Sequence, residues 1–274
     1  MRSVMTSNEP ATEQPEPRNE EFWRGILLGT DPRYRDSRRW LKHLPSAPRC
    51  KFCAAPFRGA FVPLMRAQGR TPWHRNPNYC GFCYKVIEAE FGGAEIECSL
   101  LFADVRGSTA LAEQMSATAF RKLMDRFYRT ATDILIDQDG IIDKYVGDEV
   151  VAIFIPALVD DGHAARALVA ASAILKATGH DDPAGPWLPV GAGIATGVAY
   201  VGAVGSGAHV EFTALGDVVN TAARLASVAG AGEILLTLPS VEGAHLDASG
   251  LERRSLDLKG KSRQVEVAVV RRTS

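Results

Sequence analysis

No stretch of the 274-residue chain approaches the roughly 18 uninterrupted apolar residues that a membrane-spanning helix needs. Residues 1–19 (MRSVMTSNEPATEQPEPRN) lack the apolar centre of a secretory signal and any periodicity, so they are expected to form a disordered tail. The expected compartment is the cytoplasm. Cysteine is scarce, with five residues, and a disulfide framework is not expected there. A glycine-rich phosphate loop is missing as well: Gly202, Gly205 and Gly207 are too sparse for one and read as turn residues. A net charge of -1 leaves no overall bias toward nucleic acid, yet it hides an asymmetry. From Phe22 to Ile87 there are thirteen Lys and Arg against two Asp, a local balance of +11, so the remainder is acidic.

What is present divides accordingly. With 46% hydrophobic and 23% charged residues, the chain can build one sizeable core and a small additional domain. The expected parts are the tail at 1–19, a basic helical module at 20–91 and a larger domain at 94–274, with Phe91, Gly92 and Gly93 as a hinge. Trp23, Ile26, Leu27, Tyr34, Trp40 and Leu41 predict two short amphipathic helices broken near Asp31 and Pro32.

Four of the five cysteines fall in that module. Cys50 and Cys53, then Cys80 and Cys83, form two Cys-x-x-Cys pairs separated by 26 residues. Each pair aims two thiolates at one point, and four thiolates complete a closed tetrahedral site of the structural zinc type. An iron–sulfur cluster is the alternative that the same ligands could hold. The aromatic residues flanking each pair suit a metal that substitutes for a large core. Cys98 starts a strand and is expected to be a small buried residue.

The chemistry gathers between Ser99 and Ile155. Ser99 to Val105 is an apolar run broken only by Asp104, and Gly107, Ser108 and Thr109 open a helix behind it. Its amide groups suit phosphate oxygens. Phe120, Leu123, Met124, Phe127, Ala131, Ile134 and Leu135 recur at helical steps, and Asp139 and Gly140 end the helix. Ile141–Val146 and Val150–Ile155 then read as a hairpin turning through Gly147 and Asp148. Two aspartates at neighbouring strand ends are expensive to bury alone and point to a shared cation.

Downstream, Asp160–Lys176 predicts a helix, and Leu188–Thr196 and Ala199–Val204 predict a further pair of strands. In EFTALGDVVNTAARLASVAG, Val218, Val219, Ala222, Leu225 and Ala226 mark a helix on which Asn220 and Arg224, four apart, share a face. Strands at Ile234–Leu238, Leu251–Leu258 and Val265–Val270 close the chain, with Lys259 and Lys261 in a DLKGK turn.

FADVRGST, DKYVGDEVVAIF, FTALGDVVNTAARL and DLKGK stand in one order, and with them residues 95–271 closely resemble the class III adenylyl and guanylyl cyclase catalytic domain. The resemblance implies an α/β (α+β) ferredoxin-like domain, preceded here by a small zinc-ribbon-like module, that works as a head-to-tail homodimer with sites between protomers. It implies that Asp104, Val105 and Asp148 hold two Mg2+ or Mn2+ ions per site. Asn220 would position the ribose and Arg224 would neutralise charge on the α-phosphate. Lys259 would contact the terminal phosphates. Lys144 would select the base, and lysine at that position goes with ATP.

The partner selector is Thr213, a variant resembling a bacterial adenylyl subgroup. A hydroxyl donates or accepts, so GTP is the alternative substrate. Diguanylate cyclases share a Gly-Asp-Glu hairpin, but the Asn-x-x-x-Arg helix is foreign to them. A different reading makes the fold a non-catalytic dimeric regulator whose basic zinc module contacts nucleic acid.

Overall fold

The computed structural model describes residues 18–41, 43–44, 48–50, 52–73, 79–89, 92–206, 209–258 and 263–272. Helices α1 (Arg18–Leu27) and α2 (Pro32–Leu41) are the two amphipathic helices expected around the Asp31-Pro32 break. Short helices α3 (Val62–Ala67) and α4 (Gly81–Ala89) complete the amino-terminal region, α4 carrying Cys83. The sheet then opens with β1 (Gly93–Val105), followed by α5 (Ser108–Gln114), α6 (Ala117–Asp137), β2 (Ile141–Val146) and β3 (Glu149–Phe154). After α7 (Pro156–Val159) come α8 (His163–Ala177), β4 (Val190–Ser206), β5 (His209–Leu215) and α9 (Asp217–Val228). The chain ends with β6 (Glu233–Thr237), α10 (Leu238–Gly243), β7 (Glu252–Leu256) and β8 (Val265–Arg271).

The strand order is β2-β3-β1-β4-β6-β8-β7, with β5 pairing β4. Its first half, β1-α6-β2-β3-α8-β4 in chain order and β2-β3-β1-β4 in space, is the split βαβ arrangement of a ferredoxin-like domain. β1 lies between β3 and β4, so the strand that ends in Asp104 is paired on both edges. Alternation along β1 splits its side chains between two cores. Ile96, Cys98, Leu100 and Phe102 face one, and Leu101, Ala103 and Val105 face the other with α6 and α8. Helix α6 buries Met124, Phe127, Ala131 and Leu135, one stripe at helical spacing.

Three expectations are corrected. The helix behind β1 is two helices, because Met115 is extended and Ser116 caps a new start, its hydroxyl accepting from Ala119 N at 3.2 Å. The two strands expected at 188–196 and 199–204 are one, β4, which runs through Gly197 because β1 pairs with it continuously from Val190 to Gly202. At the junction, Gly93 is already in β1, and a Cβ there would lie 2.5 Å from Val201 O. That close fit, with Ala203 N donating to Gly92 O at 2.7 Å, makes Gly92 and Gly93 a packed seam in place of the expected hinge. Phe91 lies outside the described residues.

The amino-terminal region shares a core with the sheet. Trp23, Ile26 and Leu27 of α1 and the four cysteines belong to the same buried cluster as Ile96, Leu100 and Val201. Trp23 is fully buried and packs on Phe212 of β5 with ring centroids 6.0 Å apart. Arg38 ties the two parts through Phe52 O at 3.1 Å and Leu158 O at 3.2 Å.

Candidate active site

Asp104 is the penultimate residue of β1, 8% exposed, and lies opposite Glu149 at the start of β3. The β2–β3 hairpin turns in two residues between Val146 and Glu149, and Gly147 takes φ 62°, a left-handed conformation that glycine adopts without steric cost. Asp148 is therefore the second turn residue, as expected. Val105 N donates to Asp148 O at 3.4 Å, and the Tyr128 hydroxyl on α6 donates to Gly147 O, so the hairpin tip is held against the end of β1.

Arg106 stands between the two aspartates. It forms an ion pair with Asp104, while its other terminal nitrogen donates to Ser227 O at 2.8 Å, at the end of α9. Burial lowers its pKa, and the charges of Asp148 and Glu149 oppose that shift. For Glu149 the shift is upward, from burial and then from Asp148. Such a cluster of carboxylates around one guanidinium fits a site for cations, since the acids outnumber the single positive charge. Arg106 escaped the sequence reading, although its place two residues after Asp104 was the signal. Gly107 caps α5 with φ 70°, and Ser108 and Thr109 form its first residues.

Lys144 and Thr213 meet in a second cluster. Thr213 Oγ1 donates to Asp143 Oδ2 at 2.9 Å, and Lys144 Nζ lies 3.7 Å from the same oxygen and 3.8 Å from Glu211. Across the sheet Lys144 pairs with Val151 of β3, which pairs with Phe102 of β1, two residues before Asp104, while Thr213 reaches Asp143 from β5. One chain thus carries both the Asp104–Asp148 carboxylates and the Lys144–Thr213 cluster.

Helix α9 lies directly on β4. A Cβ on Gly193 would meet Ala226 N at 2.4 Å, so glycine is what allows this approach. Val218, Ala222, Leu225 and Ala226 are buried beneath α9, which leaves Asn220 exposed and Arg224 half-buried one turn later. Lys259 and Lys261 fall outside the described residues.

The four cysteines of the amino-terminal region converge. Sγ atoms of Cys50, Cys53, Cys80 and Cys83 all lie within 4.8 Å of one another, and all four residues are buried and free of disulfides. A tetrahedron with metal–sulfur bonds of ~2.3 Å needs sulfurs about 3.8 Å apart, and Cys53 and Cys80 are separated by 3.7 Å. The hydrogen bonds that the four thiols share pull Cys53 down, favouring a thiolate there, and push Cys50 and Cys83 up. The donor set fits zinc. His43 lies on the exposed surface beyond α2, and Cys98 is buried within β1 as expected.

Residues 94–270 match the family described as the adenylate and guanylate cyclase catalytic domain. The protein Rv1319c of Mycobacterium tuberculosis is 32% identical over 187 residues, which is 66% of this chain and 34% of that protein. An adenylate cyclase of Anabaena cylindrica is 28% identical over 203 residues, 68% of this chain and 39% of that one. The chain thus spans about a third of the length of the curated relatives it matches. Among solved structures, the adenylyl cyclase CyaB from P. aeruginosa superposes with a TM-score of 0.57 at 28% identity, over 65% of this chain and 95% of CyaB.

Proposed function

Because the chain belongs, over residues 94–270, to the adenylate and guanylate cyclase catalytic domain family, we propose that it converts ATP to 3',5'-cyclic AMP and pyrophosphate at sites shared by two copies of itself. The observation that carries the choice of ATP is the meeting of Lys144 and Thr213 at one carboxylate, Asp143. Lys144 brings an ammonium donor, which suits the ring-nitrogen acceptor of adenine and opposes the N–H of guanine.

Two divalent cations, Mg2+ or Mn2+, bound by Asp104, Val105 and Asp148 would supply the charge that makes the ribose 3'-hydroxyl acidic and steadies the triphosphate. The chain's own residues do the rest. The 3'-oxygen bonds to the α-phosphorus, the bond from that phosphorus to the pyrophosphate oxygen breaks, and the hydroxyl proton passes to solvent. Arg224 offsets the negative charge that grows on the α-phosphate, and Asn220 on the same helix face orients the ribose. Gly107, Ser108 and Thr109 at the start of α5 and Lys259 of the DLKGK motif serve the phosphates. No protein nucleophile is required.

The dimer is supported by apolar side chains left at the surface of the sheet. Tyr145, Val146, Val198 and Leu215 are 47%, 47%, 61% and 50% exposed on β2, β4 and β5. Val146 and Leu215 stand two residues from Lys144 and Thr213 along β2 and β5, where a second copy would cover them. The four cysteines hold one structural zinc, which braces α1 against the sheet.

Incubating the purified chain with ATP or GTP and each cation, then resolving the products, tests this reading. Cyclic AMP from ATP is expected; cyclic GMP as the main product, or no cyclisation, would refute it. Metal analysis is expected to find about one zinc per chain. Iron with sulfide would overturn that assignment.

A further inference from the structure

Thr213 poses a chemical problem for base selection. A free hydroxyl can donate to the O6 acceptor of guanine as readily as it accepts from the N6 amino group of adenine, so threonine alone discriminates poorly. In this chain the hydroxyl is not free. It has one proton, and that proton is directed to Asp143 Oδ2 at 2.9 Å.

The placement of Asp143 is specific. Strand alternation would send Asp143 and Lys144 to opposite faces of β2. The pairing of β2 with β3 shifts register between Ile142 and Lys144, making Asp143 the extra residue of a bulge. Both side chains consequently reach the same neighbourhood, with Lys144 3.7 Å from Asp143 and 3.8 Å from Glu211 on β5. The Asp143 side chain is only 3% exposed. Its second oxygen, Oδ1, is buried with no hydrogen-bond partner among the described residues. Among the described residues, the side-chain partners of this costly buried carboxylate are Thr213 and Lys144, the two groups assigned above to the base.

We propose that Asp143 is a specificity-determining positioning residue: by taking the Thr213 proton and anchoring Lys144, it presents an acceptor and a donor that match adenine and mismatch guanine. An ionised carboxylate only accepts, so Thr213 Oγ1 can offer the base nothing but lone pairs. Adenine meets those with its N6 amino group and meets Lys144 with N1. Guanine would bring O6 to the lone pairs and its N1–H to the ammonium, and both contacts repel. The inference rests on the reading of Lys144 and Thr213 as the base pocket, and it assigns the polarity of that pocket to a residue that itself never touches the base.

The test is the ratio of kcat/KM for ATP to that for GTP, which a general loss of activity or stability leaves unmoved. Asp143→Ala is expected to lower the ratio by about tenfold or more, the worth of one hydrogen bond to a charged group. Asp143→Leu, which keeps the branched shape at a larger volume and removes a buried charge, gives the same readout if the alanine variant does not fold. Asp143→Asn keeps an acceptor oxygen and is expected to retain most of the ratio. Thr213→Val is expected to lower the ratio by itself, and adding Asp143→Ala to it should lower the ratio by less than Asp143→Ala does in the wild type, because part of the effect of Asp143 runs through Thr213 and the rest through Lys144. A wild type that prefers ATP with an unchanged ratio in Asp143→Leu would overturn this inference alone. A wild type that prefers GTP would overturn the ATP reading first and this inference with it.

Discussion

Asp104 and Asp143 are the same residue type, both with buried side chains and both beside a basic side chain, but Asp104 is regularly paired on both edges of β1 while Asp143 is the extra residue of a bulge in β2. Their surroundings assign them different work. Asp104 has a second carboxylate, Asp148, across the hairpin tip, so negative charge accumulates there beyond the single Arg106, and a bound cation would relieve it. Asp143 has a neutral hydroxyl and an ammonium, so its charge is already matched and is used to orient its neighbours. Glu233 is the structural counterpart of both. Its two oxygens are taken up by Arg254 at 2.9 and 2.6 Å and by Arg271, leaving nothing over for a ligand. On this proposal a buried acid serves as a metal ligand, a positioning group or a brace according to what its spare lone pairs face.

Breaking the first of these should have the largest effect. Asp104→Ala or Asp148→Ala is expected to cut cyclisation by on the order of a thousandfold, since several kcal/mol of charge stabilisation at the phosphates is lost. Arg106 keeps its hold on Ser227 O in either variant, so the fold should persist, and circular dichroism with a melting curve checks it. Substantial activity in either variant would remove the metal assignment. The second cluster should respond in selectivity. Lys144→Glu exchanges a donor for acceptors at the base edge and is expected to lower the ATP-to-GTP ratio by about tenfold, measured by competing the two substrates.

The smallest effect belongs to the brace. Hydrogen bonds from Arg254 lead in holding the Glu233 carboxyl down to about 2, below its unfolded value of 4.5. A depressed folded pKa contributes stability that is complete above pH 4.5 and is lost as pH falls toward 2. Glu233→Gln should therefore cost about 1 kcal/mol at neutral pH, a figure lowered for partial solvent screening. It should also flatten the acid limb of a urea-midpoint profile without changing catalysis. An unchanged acid limb would show that Glu233 does not carry it.

Much of this was legible before any coordinates. The hairpin tip at Gly147 and Asp148, the strand end at Asp104, the α9 face of Asn220 and Arg224 and the cysteine spacing are each local patterns, and local patterns survive folding. What escaped was set by partners distant in sequence. The continuity of β4 through Gly197 depends on thirteen paired residues of β1, which periodicity in either half cannot reveal. The seating of Trp23 on Phe212 joins residues almost two hundred positions apart. Asp143 looked like an ordinary charge in a strand, because only the bulge brings it to Thr213. The break at Ser116 was available in principle, since serine ahead of a helical stripe is a capping signal.

In the proposed dimer each site draws its metal-binding carboxylates from one copy and its base and transition-state groups from the other. Asp148→Ala and Arg224→Ala proteins should each be nearly inactive alone, the latter by on the order of a hundredfold as expected for loss of a transition-state donor. Mixed and allowed to exchange subunits, they form heterodimers in which one site collects both defects and the other collects neither. With random exchange half the dimers are mixed and half their sites intact, so activity should return to about one quarter of wild type. No recovery, with exchange demonstrated by differently tagged copies, would contradict the shared site.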